Sequence, residues 1–175
     1  MRFKLSEGIA MKIGILSDTH DNIHIIEKAV KVFNENKVDL VLHAGDFISP
    51  FVPKWFAALK CKLIGVYGNN ENERELLAKR MAEVGHEIRG YFALIKADGL
   101  TIGLLHGHEE DLLKLLIDKM PVDIIVYGHT HKAEIKEVNG KMIINPGEAC
   151  GYLTGKSTIV ILDTEKREAK MLELR

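Results

Sequence analysis

The sequence predicts an α/β fold: an alternating half followed by a β-rich half, with two sheets packed face to face and helices outside. Three observations carry this. Short apolar runs alternate with helical periodicities up to Glu83. After Gly85 the alternation gives way to strands paired across tight turns at Asp98-Gly99 and Asn139-Gly140. Five of the buried-looking strands lead into polar side chains, four of those groups beside a glycine.

Residues 11–16 read as a buried strand that leads into Asp18-Thr19-His20. In residues 22–36, Ile25, Ile26, Ala29, Val30 and Phe33 recur at three- and four-residue spacing, so this segment is an amphipathic helix. Residues 38–43 form a second buried strand, ending at Gly45-Asp46. Pro50 and Pro53 flank the start of a helix predicted to run to Leu59. Residues 61–67 give a third strand, ending at Gly68-Asn69-Asn70, and residues 73–83 a helix stopped near Gly85. This β-α-β-α-β-α order implies right-handed crossovers and a parallel sheet. Residues 89–97 and 100–106 then pair over Asp98-Gly99. Residues 111–119 are a helix, and residues 122–127 a buried strand running into Gly128-His129. Residues 133–138 pair with 141–145 over Asn139-Gly140, and residues 157–163 pair with 168–174.

Composition sets outer limits. A chain of 175 residues, 46% apolar and 28% charged, is one domain's worth and excludes a disordered tail protein. No apolar run approaches a membrane span. A net charge of −1, from 24 basic and 25 acidic residues, argues against strong nucleic-acid binding. Two cysteines, Cys61 and Cys150, fit a reducing cytoplasm rather than a disulfide scaffold. Residues 1–10 lack the apolar core of a signal peptide. They are expected to be a disordered extension or an upstream start, with residues 11–175 a single domain. Glutamine is absent while lysine and glutamate are abundant, which points toward a heat-adapted source.

The polar strand ends are the informative feature. They deliver Asp18 and His20, Asp46, Asn69, His106, and His129 with His131 to one edge of the sheets. Ligands bind at such edges in open α/β sheets. Imidazole with carboxylate suits Zn, Mn, Fe or Ni. Seven donors exceed the four of one tetrahedral zinc; two metals sharing a carboxylate fit better, and such pairs act on phosphoryl groups.

In these five motifs, taken in order, the sequence resembles the calcineurin-type metallophosphoesterases, most of all the small YfcE-type phosphodiesterases of archaea and bacteria. The resemblance covers residues 11–163. It implies an α-β-β-α sandwich and an enzyme, a hydrolase of ester bonds working with two divalent metal ions, manganese preferred. It implies that Asp18, His20 and His131 bind one metal, that Asn69, His106 and His129 bind the other, and that Asp46 bridges them. His108 also flanks Gly107, but His106 sits directly at the strand end and is preferred. The implied reaction is attack of a metal-activated hydroxide on a phosphoester. The positive charge left after two dications, two carboxylates and a hydroxide matches a small phosphodiester monoanion.

The sequence departs from this pattern in two places. Many members carry a histidine where Asn70 stands. An amide donates a hydrogen bond to phosphate but is not a general acid. Either the leaving group is good, or another residue such as His108 acts as acid, or catalysis is weak. Asn70 and His108 are therefore the catalytic candidates. The second departure is Glu148, where the family often has serine and for which the sequence assigns no role.

Simpler roles fit other residues. His43 reads as a hydrogen-bonded core histidine, His24 as solvated, His86 as a structural or exposed loop residue and Cys150 as a small buried thiol. Asp21 is expected to cap the first helix, and Glu71 and Glu73 to favour the start of the helix at 73–83. Trp55 and Phe56 are expected to pack. Two other functions compete: a non-catalytic scaffold of the retromer-subunit type, which has no reason to keep seven ligands, and a nuclease, for which no basic stripe is evident. A homodimer is the preferred assembly, with no membrane partner.

Overall fold

The computed structural model describes residues 9–175. Residues 1–8 of the expected N-terminal extension lie outside the described residues, and Ile9 and Ala10 are exposed and belong to no helix or strand. In chain order come β1 (Lys12–Leu16), α1 (Ile23–Glu35), β2 (Leu40–His43), α2 (Pro53–Phe56), β3 (Lys62–Gly65), α3 (Arg74–Glu83) and β4 (Glu87–Ile88). Then follow β5 (Phe92–Ala97), β6 (Leu100–Leu105), α4 (Glu110–Asp118), β7 (Ile124–Val126), β8 (Glu134–Val138), β9 (Lys141–Asn145), β10 (Thr158–Asp163) and β11 (Glu168–Glu173).

These strands make two mixed sheets, ordered β11-β10-β1-β2-β3-β4 and β5-β6-β7-β9-β8. β1 to β4 run parallel, as do β6, β7 and β9; helices α1 to α4 make four of these crossovers, and the loop with β8 makes the one from β7 to β9. The three hairpins sit at the outer positions. Side chains alternate along each strand and so build three apolar layers. Ile13, Ile15, Leu42 and Ile64 of the first sheet meet Ile95, Ile102, Leu104 and Val126 of the second. On the outer face of the first sheet, Leu16, Val41 and Leu63 pack with Ile26 and Phe33 of α1 and Leu77 of α3. On the outer face of the second, Leu105 and Ile125 pack with Leu116 of α4. The result is the helix–sheet–sheet–helix sandwich that the sequence predicts. Close packing fixes residue choice: a Cβ on Gly14 would stand 2.7 Å from the Phe33 ring. Phe33 itself is the kind of buried ring whose truncation costs about 3–5 kcal/mol.

Two elements differ from the sequence reading. The helix expected to reach Leu59 stops at Phe56, because Asn34 of α1 captures the chain beyond it. The Asn34 side chain donates to Ala58 O at 2.8 Å and accepts from Lys60 N at 2.9 Å. The strand expected over 89–97 begins later, at Phe92, and a short strand absent from the sequence reading precedes it. Residues Glu87 and Ile88 add β4 to the edge of the first sheet, Gly90 turns at φ +70°, and β5 begins in the second sheet. The chain changes sheets at this point, and the turn takes up residues 89–91.

Candidate metal centre

The carboxyl ends of β1, β2, β3, β6 and β7 open onto one edge, and the loops beyond them are stitched together. Asp18 N donates to Gly45 O at 3.0 Å, His20 N to Asp46 O at 3.1 Å, and Gly128 N to His106 O at 2.9 Å. His129 N donates to the Asp18 carboxylate at 3.1 Å. Asp18, His20, Asp46, His129 and His131 all adopt the left-handed backbone, with φ of 52, 41, 61, 63 and 59°. Non-glycine residues rarely hold that conformation, and where they do they cluster at functional sites. The loops also approach closely. A Cβ on Gly45, which has φ +98°, would meet Gly68 N and His106 Nδ1 at 2.8 Å.

The side chains gather around two buried carboxylates. Asp46 Oδ2 lies 3.4 Å from both His20 Nε2 and His106 Nε2. Asp18 Oδ1 lies 3.3 Å from His131 Nε2, 3.8 Å from His20 Nε2 and 4.0 Å from His106 Nε2. Asn69 Oδ1 is 3.0 Å from His106 Nε2, and the His129 ring centroid is 5.1 Å from that of His106. Two donors held about 2.1 Å from one ion stand roughly 3.0–3.4 Å apart, so the spacing suits ligation. Asp18 Oδ1 and His20 Nε2 are buried with no hydrogen-bond partner among the described residues. Buried polar atoms left open in this way point to a missing ligand. The donor set therefore fits divalent ions, with Asp46 facing imidazoles from both sides.

Two of the imidazoles, His106 and His131, are aimed by their far nitrogens. His106 Nδ1 lies 2.7 Å from Ala44 O, a carbonyl that can only accept, so the proton sits on Nδ1 and Nε2 is bare. His131 Nδ1 lies 2.8 Å from Glu148 Oε2, with the same result. Behind the site, His43 is fully buried and hydrogen-bonded, as the sequence predicts. Its Nδ1 accepts from Gly45 N at 3.2 Å, so Nε2 donates to Thr19 Oγ1 at 3.1 Å. Burial and the nearby His106 hold its pKa well below the usual histidine value.

The charges respond to this crowding. Burial opposes ionisation of Asp46, but His106 and Asn70 outweigh it and hold the carboxyl well below the usual range. Asp18 and then Asp46 raise the pKa of His20, while burial opposes. Burial lowers the pKa of His129 and of His108, with His106 adding to both.

Asn70 lies at the centre, donating its backbone N–H to Asp46 Oδ1 at 3.1 Å and its amide to Oδ2 at 2.6 Å. His108 stands beside it rather than within it, with ring centroids 5.5 Å from His106 and 6.1 Å from His129. Two groups of donor atoms lie within 4.8 Å of one another: Asp18, His20 and Asp46, and His20, His131 and Cys150. Cys150 is accounted for otherwise. Its thiol donates to Glu148 Oε2 at 3.3 Å, and burial with the Glu148 charge pushes its pKa up to about 12.

Three acidic residues have roles the sequence reading missed. Glu71 does not serve the next helix. It is 1% exposed and accepts Phe47 N and Gly68 N at 2.7 Å each, clamping the Asp46 loop to the Asn69 loop. Asp21 does not cap α1. It accepts Ser49 N at 3.0 Å, while Asn22 caps the helix through Ile25 N at 3.4 Å. Glu148 is bonded to His131. Each has one partner distant in sequence, Phe47 for Glu71, Ser49 for Asp21 and His131 for Glu148, and such a partner leaves no local pattern to read. His24 is exposed as expected. His86 is a structural residue, accepting Leu63 N and donating to Phe56 O.

Known proteins resemble this chain in sequence and fold. Residues 11–167 match the calcineurin-like phosphoesterase superfamily domain. A phosphodiesterase of Methanocaldococcus jannaschii is 45% identical over 165 residues, covering 94% of this chain and 99% of its own. A solved structure of a novel archaeal phosphodiesterase superposes with a TM-score of 0.90 at 44% identity, covering 94% of this chain and all of its own. YfcE, a phosphoesterase of E. coli, matches in fold with a TM-score of 0.70 at 18% identity, over 94% of this chain and 100% of its own. Among the described residues no helix is long and apolar enough to cross a membrane.

Proposed function

The chain belongs to the calcineurin-like phosphoesterase superfamily, and from that membership we propose that it is a metal-dependent phosphoesterase acting on small phosphodiesters. The observation that carries this is the open cage at the strand ends: buried Asp18 Oδ1 and His20 Nε2 without partners among the described residues, beside His106 and His131, whose protons are held on Nδ1. The diester preference rests on the M. jannaschii relative and on the charge balance. We assign Asp18, His20 and His131 to one ion, Asn69, His106 and His129 to a second, and Asp46 to both.

Bound there, two divalent ions, manganese preferred, supply charge stabilisation to the phosphoryl oxygens and lower the pKa of water. The chain's own residues do the rest. Asp18 and Asp46 fix the charge of the cage. Glu71 holds the two loops that carry Asp46 and Asn69 in register. Asn70, within reach of Asp46 Oδ2, offers an amide donor to a phosphate oxygen. His108, whose ring lies beside those of His106 and His129, is our candidate to hydrogen-bond the leaving oxygen. Residues 11–175 act as one domain, and a homodimer in a reducing cytoplasm is the assembly we carry forward.

The test is metal analysis of purified protein followed by assays on mono- and diesters. Chelation is expected to abolish hydrolysis of an aryl diester, and manganese to restore it. Full activity in chelated protein refutes the reading, as does undiminished turnover in His129→Ala. Cleavage of DNA in place of small diesters favours a nuclease.

A further inference from the structure

Glu148 is fully buried, and its carboxylate is engaged on two sides. On one side His131 Nδ1 donates to Oε2 at 2.8 Å. On the other the 151–156 loop closes on it. Leu153 N reaches Oε1 at 2.9 Å and Oε2 at 3.1 Å, the Thr154 hydroxyl donates to Oε1 at 2.7 Å, and Thr154 N donates to the same oxygen. This loop has little packing of its own: Tyr152 is 62% and Leu153 76% exposed. A loop without buried apolar contacts is held by its hydrogen bonds, and here they converge on one carboxylate.

We propose that Glu148 is a positioning residue that couples metal capture to the order of the 151–156 loop. The proposal rests on the reading of His131 as a ligand. One carboxylate keeps the His131 proton on Nδ1, leaving Nε2 free, and gathers the loop amides. Partners of ligating histidines act in this way. Coupling is reciprocal, so an ordered loop favours ion binding and a bound ion orders the loop.

The probe is Mn2+ alone, with free ion counted by electron paramagnetic resonance and loop amides followed by hydrogen exchange. In wild type, saturating Mn2+ is expected to slow exchange at Leu153 and Thr154. Glu148→Gln turns an amide donor toward His131 Nδ1 or toward the loop N–H groups. It is expected to lose affinity at one of two sites by roughly 10–100-fold and to lose the slowing. Thr154→Val touches no ligand, yet it removes the hydroxyl that binds Glu148 and Lys156 and is expected to weaken Mn2+ by about two- to tenfold. A purely structural role for Glu148 leaves the affinity of Thr154→Val unchanged. That result overturns the coupling, and so does wild-type exchange indifferent to Mn2+, which needs no variant. Wild type that binds no Mn2+ at all overturns the ligand reading instead.

Discussion

Gly128 stands where the loop after β7 crosses the end of β1. A Cβ built on it would lie 1.9 Å from Ser17 Oγ, 2.6 Å from Asp18 Oδ2 and 2.8 Å from Ser17 Cβ. The Ser17 hydroxyl can rotate away, but Ser17 Cβ cannot. Gly128→Ala must therefore push the two loops apart, and overpacking of this kind costs about 1–3 kcal/mol. For a chain of this length that is a fall in Tm of roughly 2–12 °C, at about 2–4 °C per kcal/mol. The displacement falls on Asp18, and productive sites tolerate only about 0.5 Å of misplacement. Mn2+ affinity is expected to fall at least about tenfold with it. Gly103 in β6 is the control, since a Cβ there meets nothing closer than 3.6 Å. Thermal melts of metal-free protein and Mn2+ titrations read both effects. Gly128→Ala with the Tm and affinity of Gly103→Ala refutes the reasoning.

Three further outcomes follow from contacts elsewhere. Glu71→Gln exchanges one of two charge-assisted backbone bonds for an N–H facing an NH2 group; removal of such a buried acceptor costs about 1–3 kcal/mol, read by urea melts. His108→Ala is expected to slow alkyl diesters by about 10²-fold, the lower end for a positioned proton donor, while a nitrophenyl diester is nearly unaffected; equal losses on both remove His108 from the leaving-group side. Glu87 pairs with Lys62 at 2.6 Å and Arg89 at 2.8 Å, and Arg89 first, then Lys62, lower its pKa from 4.5 to about 2. Its folded pKa is depressed, so its stabilisation is present above pH 4.5 and lost as pH falls toward 2. The pair is half in water, so Glu87→Gln costs under about 1 kcal/mol at neutral pH, and the gap from wild type is expected to close in acid melts.

What the sequence disclosed follows a physical rule. The strands were legible because burial on both faces demands uninterrupted apolar runs, and the polar strand ends stood out against them. The hairpins at Asp98-Gly99 and Asn139-Gly140 were legible because those turns need residues that accept positive φ, as both pairs do. β4 was not legible, since two residues carry no period. Glu71, Asp21 and Glu148 were misread or unread for a different cause. Glu71 reaches a backbone amide 24 residues away and Asp21 one 28 residues away, while Glu148 bridges to His131 17 residues before it. Only the folded chain makes those neighbours. The asymmetry matters for the site: the donors that would touch ions were visible, while the groups that aim them were not.

The left-handed backbone at Asp18, His20, Asp46, His129 and His131 has a last consequence. Each such residue sets the chain back by about 1 kcal/mol against a relaxed loop, in every molecule, loaded or empty. Glycine at Asp18 or His131 would relieve that strain while deleting a donor, so the positions set stability against function. In return these conformations fix the directions in which the five side chains leave their loops. With those directions set by the backbone, selection among ions falls to size and coordination number.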